Sequence, residues 1–389
     1  MRLLIYIHSL ENGGAERVVA NLANYWVSIG REVTVVTVAP AARDFYALAP
    51  MVGRVSLELA GGRRNLLAGL WRTTRRARAL RRVLRLVQPD VALAAMHTAN
   101  VVLALAARSL PALRTIGSEH NFPPKSPMGI VWETMRHHAY GRLDAVVALT
   151  RECAGWLGAH TLARKILVIP NPVTWPLANH APHVDPVVTC ADGRRILLGV
   201  GRLSVEKNFS GLIEIFSQLA PAHPDWDLVI LGEGPLRAAL SAQVRAARLD
   251  GRIFLPGSVG NVGDWYARAS LYAMSSDFEG FPNTLVEAMA YGVPAVSFDC
   301  DTGPRDIIRN GVDGFLIEPG ATGAMAAALD QLMLDAGLRT AFAARAVEAR
   351  ERFSMEKIAQ MWDELFVVQP ERAPSPDHGE RAPSARRMH

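Results

Sequence analysis

Short apolar runs alternate with amphipathic stretches along almost the whole chain. In the first half the runs are Leu3–Ile7, Val33–Val38, Val91–Ala95, Leu113–Gly117, Ala145–Leu149 and Ile166–Ile169. In the second half they are Ile196–Val200, Leu228–Leu231, Ile253–Leu255, Leu271–Met274, Ala295–Phe298 and Gly314–Ile317. Most are apolar at consecutive positions, as a strand covered on both faces must be. The segments between them repeat at helical spacing, for example Val18, Val19, Leu22, Ala23 and Trp26. Strands and helices alternating on this scale predict an α/β fold of parallel sheets with helices on both faces.

Between Asn171 and Arg195 the pattern lapses, and Pro172, Pro176, Pro182 and Pro186 mark a linker. It separates residues 1–170 from 196–353, and each part has enough strands to bury its own core. We read them as two doubly wound domains facing one another across a cleft. Helical spacing returns in MEKIAQMWDELF, predicting a helix over 354–366, whereas 367–389 is rich in Pro, Arg and Ser and predicts a disordered tail. Ligands of such sheets sit beyond the carboxyl ends of the strands, so the loops after strands should carry the chemistry.

Composition narrows the class. Of 389 residues, 50% are hydrophobic and 20% charged, which excludes collagen-like, coiled-coil and wholly disordered chains. Cys153, Cys190 and Cys300 lie far apart without metal-ligand spacing and suit a reducing cytoplasm. The opening MRLLIYIHSL is broken by His8 and Ser9 and reads as a strand rather than a signal peptide. His97, Asn100 and Arg108 interrupt the most apolar longer stretch, so no membrane-spanning helix is predicted. The net charge of +5 is local: nine arginines lie between Arg63 and Arg85, and the remaining chain carries 33 basic against 37 acidic residues.

Three loops carry candidate chemistry. In SSDFEGFPNTLVEAMAYGVPAVSF (275–298) a strand ends, a polar loop follows, and a helix starts near Asn283 or Thr284. The unpaired amides and positive dipole end of that helix suit a phosphate. Glu279 and Glu287 flank the turn, although Thr284 and Glu287 alone also spell a capping box. In GRLSVEKN, Arg202 and Lys207 share one strand-to-helix loop, where they would neutralise a diphosphate leaving group or simply stay solvated. Gly13 and Gly14, before a helix from Ala15, would let backbone approach an anion.

Taken in order, ENGGAER (11–17), SEHN (118–121), IPNPV (169–173), VGRLSVEKN (200–208), LGEGP (231–235), EGFPNTLVE (279–287) and TGPRDII (302–308) resemble the family-4 retaining glycosyltransferases of the two-domain GT-B fold. The resemblance spans about residues 1–366. It implies a first domain for the acceptor, a second for a nucleotide sugar, and a last helix crossing back to the first. It gives Glu287 the ribose hydroxyls, Glu279 the hydroxyls of the transferred sugar, and Arg202 and Lys207 the diphosphate. Backbone at Phe281, Pro282, Asn283, Thr284 and Leu285 completes that cradle, Pro256 and Gly257 border the base, and Gly13 and Gly14 approach from the opposite domain. His120 stands where the family's donor-sugar histidine does. A front-face mechanism is implied, in which Arg202 and Lys207 stabilise the leaving group while Glu279 and His120 position the substrates. The resemblance brings no Asp-x-Asp diphosphate-metal motif with it, and activity without a metal or other cofactor is expected. The preferred donors are UDP-hexoses or UDP-N-acetylhexosamines.

Around Leu66, Leu70, Ala77, Leu80, Leu84 and Val87, spaced as one helical stripe, stand Arg63, Arg64, Arg72, Arg75, Arg76, Arg78, Arg81, Arg82 and Arg85. This is either an ordinary soluble surface helix or a site for anionic lipid headgroups or a polyprenyl diphosphate-linked acceptor. The second reading puts the protein peripherally on the inner face of the cell membrane, at ~1 kcal/mol per cation near an anionic leaflet. Two other functions use parts of the same pattern. A nucleotide-sugar 2-epimerase shares the fold but has motifs unlike EGFPNTLVE. A nucleic-acid-binding protein would use the arginines, yet the chain outside that helix is net acidic and lacks aromatic-studded basic sheets.

Overall fold

The computed structural model describes residues 1–61, 66–190 and 193–367. Arg63, Arg64 and the predicted tail beyond Val367 lie outside the described residues. The first sheet holds β1 (Arg2–Ile7), β2 (Glu32–Thr37), β3 (Gly53–Ser56), β4 (Val91–Ala95), β5 (Arg114–Glu119), β6 (Ala145–Ala148) and β7 (Ile166–Val168). The second holds β8 (Arg195–Val200), β9 (Trp226–Leu231), β10 (Ile253–Gly257), β11 (Leu271–Met274), β12 (Ala295–Phe298) and β13 (Gly314–Ile317). All pairings within the two sheets are parallel. The orders are β3-β2-β1-β4-β5-β6-β7 and β10-β9-β8-β11-β12-β13.

The consecutive apolar positions are explained by this double coverage. Leu3, Ile5 and Ile7 face one core cluster and Leu4 and Tyr6 the opposite one. In the second sheet Ile196 and Leu198 face one side and Leu197 the other. Each of the twelve predicted runs overlaps a strand. The additional strand, β3, has the sequence GRVS, lies at the sheet edge and is not fully buried, so it offers no apolar run.

The helices that position the site are α1 (Gly14–Ser28), α2 (Leu66–Val87), α3 (His97–Ala106), α4 (Ile130–Tyr140), α5 (Phe209–Leu219), α6 (Asn283–Ala290) and α7 (Met355–Phe366). α7 buries Ile358, Trp362, Leu365 and Phe366 in the first domain's core, where Trp26 meets Trp362 and Phe366 edge-on. The chain therefore passes between the domains twice, and Val173 N–H donates to Phe353 C=O at 2.7 Å where the passages meet. Within 171–190 a short helical turn, Pro186–Thr189, interrupts the otherwise irregular linker.

Strand order reverses between β1 and β4 in the first sheet and between β8 and β11 in the second. Crevices at such switch points bind ligands. The loops that leave β1, β8 and β11 are the ones that carry Gly13–Gly14, Arg202–Lys207 and Glu279.

Candidate functional site

From the end of β11 the chain runs through Ser275 and Ser276 to Glu279, which is nearly buried. Lys207 Nζ donates to Glu279 Oε1 at 2.6 Å, and Ser276 Oγ donates to the same oxygen at 2.7 Å. Lys207 ends a 3-10 turn, Val205–Lys207, and the helix that follows is α5, capped by Asn208. Arg202, on the same loop, is exposed and has no side-chain hydrogen bond or ion pair among the described residues. The two cations are thus unequal: one is clamped in the cleft and the other is solvated.

α6 begins at Asn283 with Pro282 as its N-cap. The capping box does not form, because Thr284 Oγ1 accepts from the Tyr272 hydroxyl at 2.8 Å and Glu287 turns toward the other domain. The cradle predicted at Asn283–Leu285 is also narrower than expected. The Asn283 and Leu285 amides already donate to the Phe281 and Pro282 carbonyls, which leaves the Thr284 amide without an acceptor among the described residues. Phe281 and Leu285 side chains belong to the domain core. Pro256 and Gly257 end β10 beside Glu233 and Arg237.

The first domain reaches the same strip. Gly14 packs so closely on Asn283 that a Cβ would stand 3.2 Å from its side-chain amide, and Asn171 Nδ2 donates to Asn283 Oδ1 at 3.0 Å. Gly13 precedes it as the N-cap of α1. Gly280 abuts the His120 carbonyl with no space for a side chain. The His120 Nε2 lies 3.2 Å from Ser118 Oγ, its Nδ1 is enclosed without a partner, and burial pushes its pKa down to about 4. The imidazole is therefore neutral in the working pH range. Beside it, burial lifts buried Glu119 to about 7, against the pull of the Tyr140 hydroxyl at 2.6 Å and of Arg136.

Glu287 is buried and holds its proton more tightly than usual because of that burial. Arg17 of α1 ion-pairs with Glu287 Oε1 across the cleft, and the Tyr266 hydroxyl donates to Oε2 at 3.1 Å. Arg17 is the residue that sequence reasoning passed over, although it ends the ENGGAER motif. Three positions after Gly14 on a helix, it shares the face that the glycines turn to the cleft.

The predicted arginine surface divides in two. Arg75, Arg78, Arg82 and Arg85 are exposed, with Arg75 stacked over Trp71. Arg81 and Arg76 instead point at the fold: Arg81 donates to the Leu105 and Ala106 carbonyls at 2.6 and 2.8 Å, and Arg76 to Leu59 C=O at 3.1 Å. Arg72 reaches Gly61 C=O at 3.4 Å. Leu70, predicted in the buried stripe, is 40% exposed. It borders an open cavity of about 660 Å³ between α2 and α4, whose lining includes His8, Arg72, Arg76, His97, Ile130 and Trp132. The cavity joins cationic and apolar walls.

Two Rossmann-like domains with their switch-point loops facing one cleft define the GT-B architecture. The sequence profile described as Glycosyltransferase Family 4 matches residues 12–174, and that described as Glycosyl transferases group 1 matches residues 185–349. The chain belongs to this glycosyltransferase family. An exopolysaccharide phosphotransferase of Streptomyces coelicolor is 32% identical over 79% of the chain, but the chain spans only 32% of that protein's length. The GalNAc-alpha-(1->4)-GalNAc-alpha-(1->3)-diNAcBac-PP-undecaprenol alpha-1,4-N-acetyl-D-galactosaminyltransferase of Campylobacter jejuni is 24% identical over 94% of the chain and 98% of its own. Among solved structures, HepE of Anabaena in complex with UDP shares the fold with a TM-score of 0.74 at 20% identity, covering 94% of this chain and 99% of that one.

Proposed function

We propose that this protein is a retaining glycosyltransferase that moves a hexose or N-acetylhexosamine from a UDP-sugar to a hydroxyl of a lipid-linked saccharide in cell-surface glycan assembly. The observation that carries the reading is the convergence of Lys207, Glu279, Glu287 and the α6 N-terminus on one strip of cleft opposite Gly14 and His120. In this reading Lys207 and the Thr284 amide meet the diphosphate, Glu279 the sugar hydroxyls and Glu287 the ribose, with Pro256 and Gly257 toward the base. Arg202 adds a second, better-solvated cation.

During transfer the bond from the sugar's anomeric carbon to the diphosphate oxygen breaks. The acceptor oxygen bonds to that carbon from the same face, and its proton passes to the departing diphosphate oxygen. No protein nucleophile takes part; the chain contributes alignment and charge stabilisation. Because cations of the chain supply the neutralisation, turnover without added divalent metal is expected.

On the acceptor side, the cavity between α2 and α4 suits a phosphate adjoining a lipid, since Arg72 and Arg76 stand beside Ile130 and Trp132. The exposed Arg75, Arg78, Arg82 and Arg85 suit the anionic inner face of the cell membrane, where the protein would attach peripherally. No described helix is long and apolar enough to cross a membrane. The undecaprenol-linked substrate named for the Campylobacter relative agrees with this acceptor class.

A panel of UDP- and GDP-sugars, read by thermal stabilisation and slow donor hydrolysis, tests the reading. A UDP-sugar should raise the melting temperature of the wild type and not of Glu287→Ala; the reading fails if no nucleotide sugar shifts the wild type.

A further inference from the structure

The Glu287 carboxylate is buried and already occupied from the opposite domain. Arg17 crosses from α1 to its carboxylate, and a crevice beside the pair, lined by Asn21, Thr174, Phe281 and Asn283 among others, measures about 20 Å³. That is space for a single water and not for a sugar ring. The Arg17 side chain is half-buried, and its partner is buried. Among the described residues two other ion pairs cross between the domains: Lys125 with Asp301 at 2.9 Å and Arg305 with Glu152 at 3.6 Å. Their side chains are more exposed, and exposed pairs contribute little. Arg17–Glu287 is thus the charged contact best placed to hold the ligand-free cleft shut.

We propose that Arg17 is a latch that occupies the ribose-binding carboxylate while the donor site is empty, so that nucleotide and Arg17 compete for Glu287. The proposal rests on the ribose role given to Glu287 above. A buried carboxylate is costly without a donor. In the empty protein Arg17 supplies one from the opposite domain, and in the loaded protein the ribose hydroxyls take its place. The affinity measured for nucleotide is then the intrinsic affinity multiplied by the fraction of molecules whose latch is undone.

Wild type, Arg17→Gln, Arg17→Lys and Lys125→Ala would be compared by small-angle scattering without ligand and by calorimetric titration with UDP, after thermal melts establish that each is folded. Arg17→Gln should increase the ligand-free radius of gyration and bind UDP more tightly by about tenfold or more, the scale of a hydrogen bond to a charged group. Arg17→Lys should fall between it and the wild type, and Lys125→Ala should leave UDP affinity unchanged. An Arg17→Gln protein as compact as the wild type, or one that binds UDP no better, overturns the latch. A wild type that binds no UDP overturns the ribose reading instead, and scattering from the unliganded variants still decides whether Arg17 holds the domains together.

Discussion

Lys207 and Glu279, 72 positions apart, form an ion pair of 2.6 Å on the second domain's side of the cleft. A diphosphate entering the site would draw the ammonium, and the sugar hydroxyls would meet the carboxylate, so the pair is set to be divided between the two halves of one substrate. In the proposed reading, substituting Lys207 by Ala would remove charge stabilisation that grows as the leaving group departs. It should lower kcat by about 10²-fold or more, as loss of such donors does elsewhere. Glu279→Gln should lower kcat more than it weakens donor binding. Steady-state kinetics alongside donor titration distinguishes the cases; a Lys207→Ala enzyme with normal kcat removes that residue from the chemistry.

The neutral state of His120 has a consequence for stability. Burial holds its folded pKa at about 4, whereas the unfolded imidazole titrates near 6.5. Below pH 6.5 the unfolded chain binds a proton that the folded ring refuses. The contribution of the neutral ring is complete above that pH and is lost as pH falls toward 4, by an amount of order 3 kcal/mol. Urea unfolding of wild type and His120→Gln from pH 4 to 8 should give stability curves that diverge across this window. Parallel curves would show that the folded ring titrates normally.

Glu119 pulls in the opposite sense. Its folded pKa is raised to about 7 by burial, from an ordinary value of 4.5. Between those values the folded state keeps a proton that the unfolded state has released, so this residue's contribution is present at low pH and declines as pH rises through 7. In Glu119→Gln that decline should disappear, leaving a variant whose relative stability improves from pH 5 to pH 8 by the same unfolding measurement.

The α2 arginines should separate into two groups. Arg75, Arg78 and Arg82 are exposed and at roughly 1 kcal/mol each near an anionic leaflet should together contribute about 10²-fold to vesicle binding. The triple change to Gln should release the protein from phosphatidylglycerol vesicles at low salt without moving its melting temperature. Arg81 donates to two carbonyls at the C-terminal end of α3, where a cation also meets the negative end of the helix dipole. Arg81→Gln should cost about 1–2 kcal/mol of stability. Equal behaviour of Arg81 and Arg78 in melts would contradict this division.

Much of this architecture was legible because the strands are covered on both faces. Ile196 through Val200 reads as an unbroken apolar run for that reason, while edge strand β3 left no such mark. The site was legible where loop chemistry departs from ordinary capping, as in Glu279–Pro282, and less so where partners come from remote sequence. Nothing local in EGFPNTLVE says that Glu287 meets Arg17, 270 positions away. Nothing in Asn283–Leu285 says that two of its three amides fold back on Phe281 and Pro282. The inward turn of Arg76 and Arg81 was likewise hidden, because a helical wheel records which face a residue occupies but not the carbonyls of Leu59, Leu105 and Ala106 that lie beside it.

Gly280 offers a test of closure that leaves the charged groups untouched. It lies in the loop between Glu279 and Phe281, pressed against the His120 carbonyl of the other domain, and a Cβ there would collide with backbone that has no flexible end to yield. The three atoms nearest to that position all belong to His120 or Asn121 of the other domain. Gly280→Ala should therefore fold normally yet be unable to bring the domains fully together. In the proposed reading, a sugar held by Glu279 would then not be aligned with an acceptor on the first domain, and a misplacement of about 1 Å can cost 10²-fold in rate. The expected result is a melting temperature close to wild type, a larger radius of gyration in the presence of UDP, and kcat reduced by about that factor. Full activity in this variant would mean that the contact between Gly280 and His120 is not made during turnover.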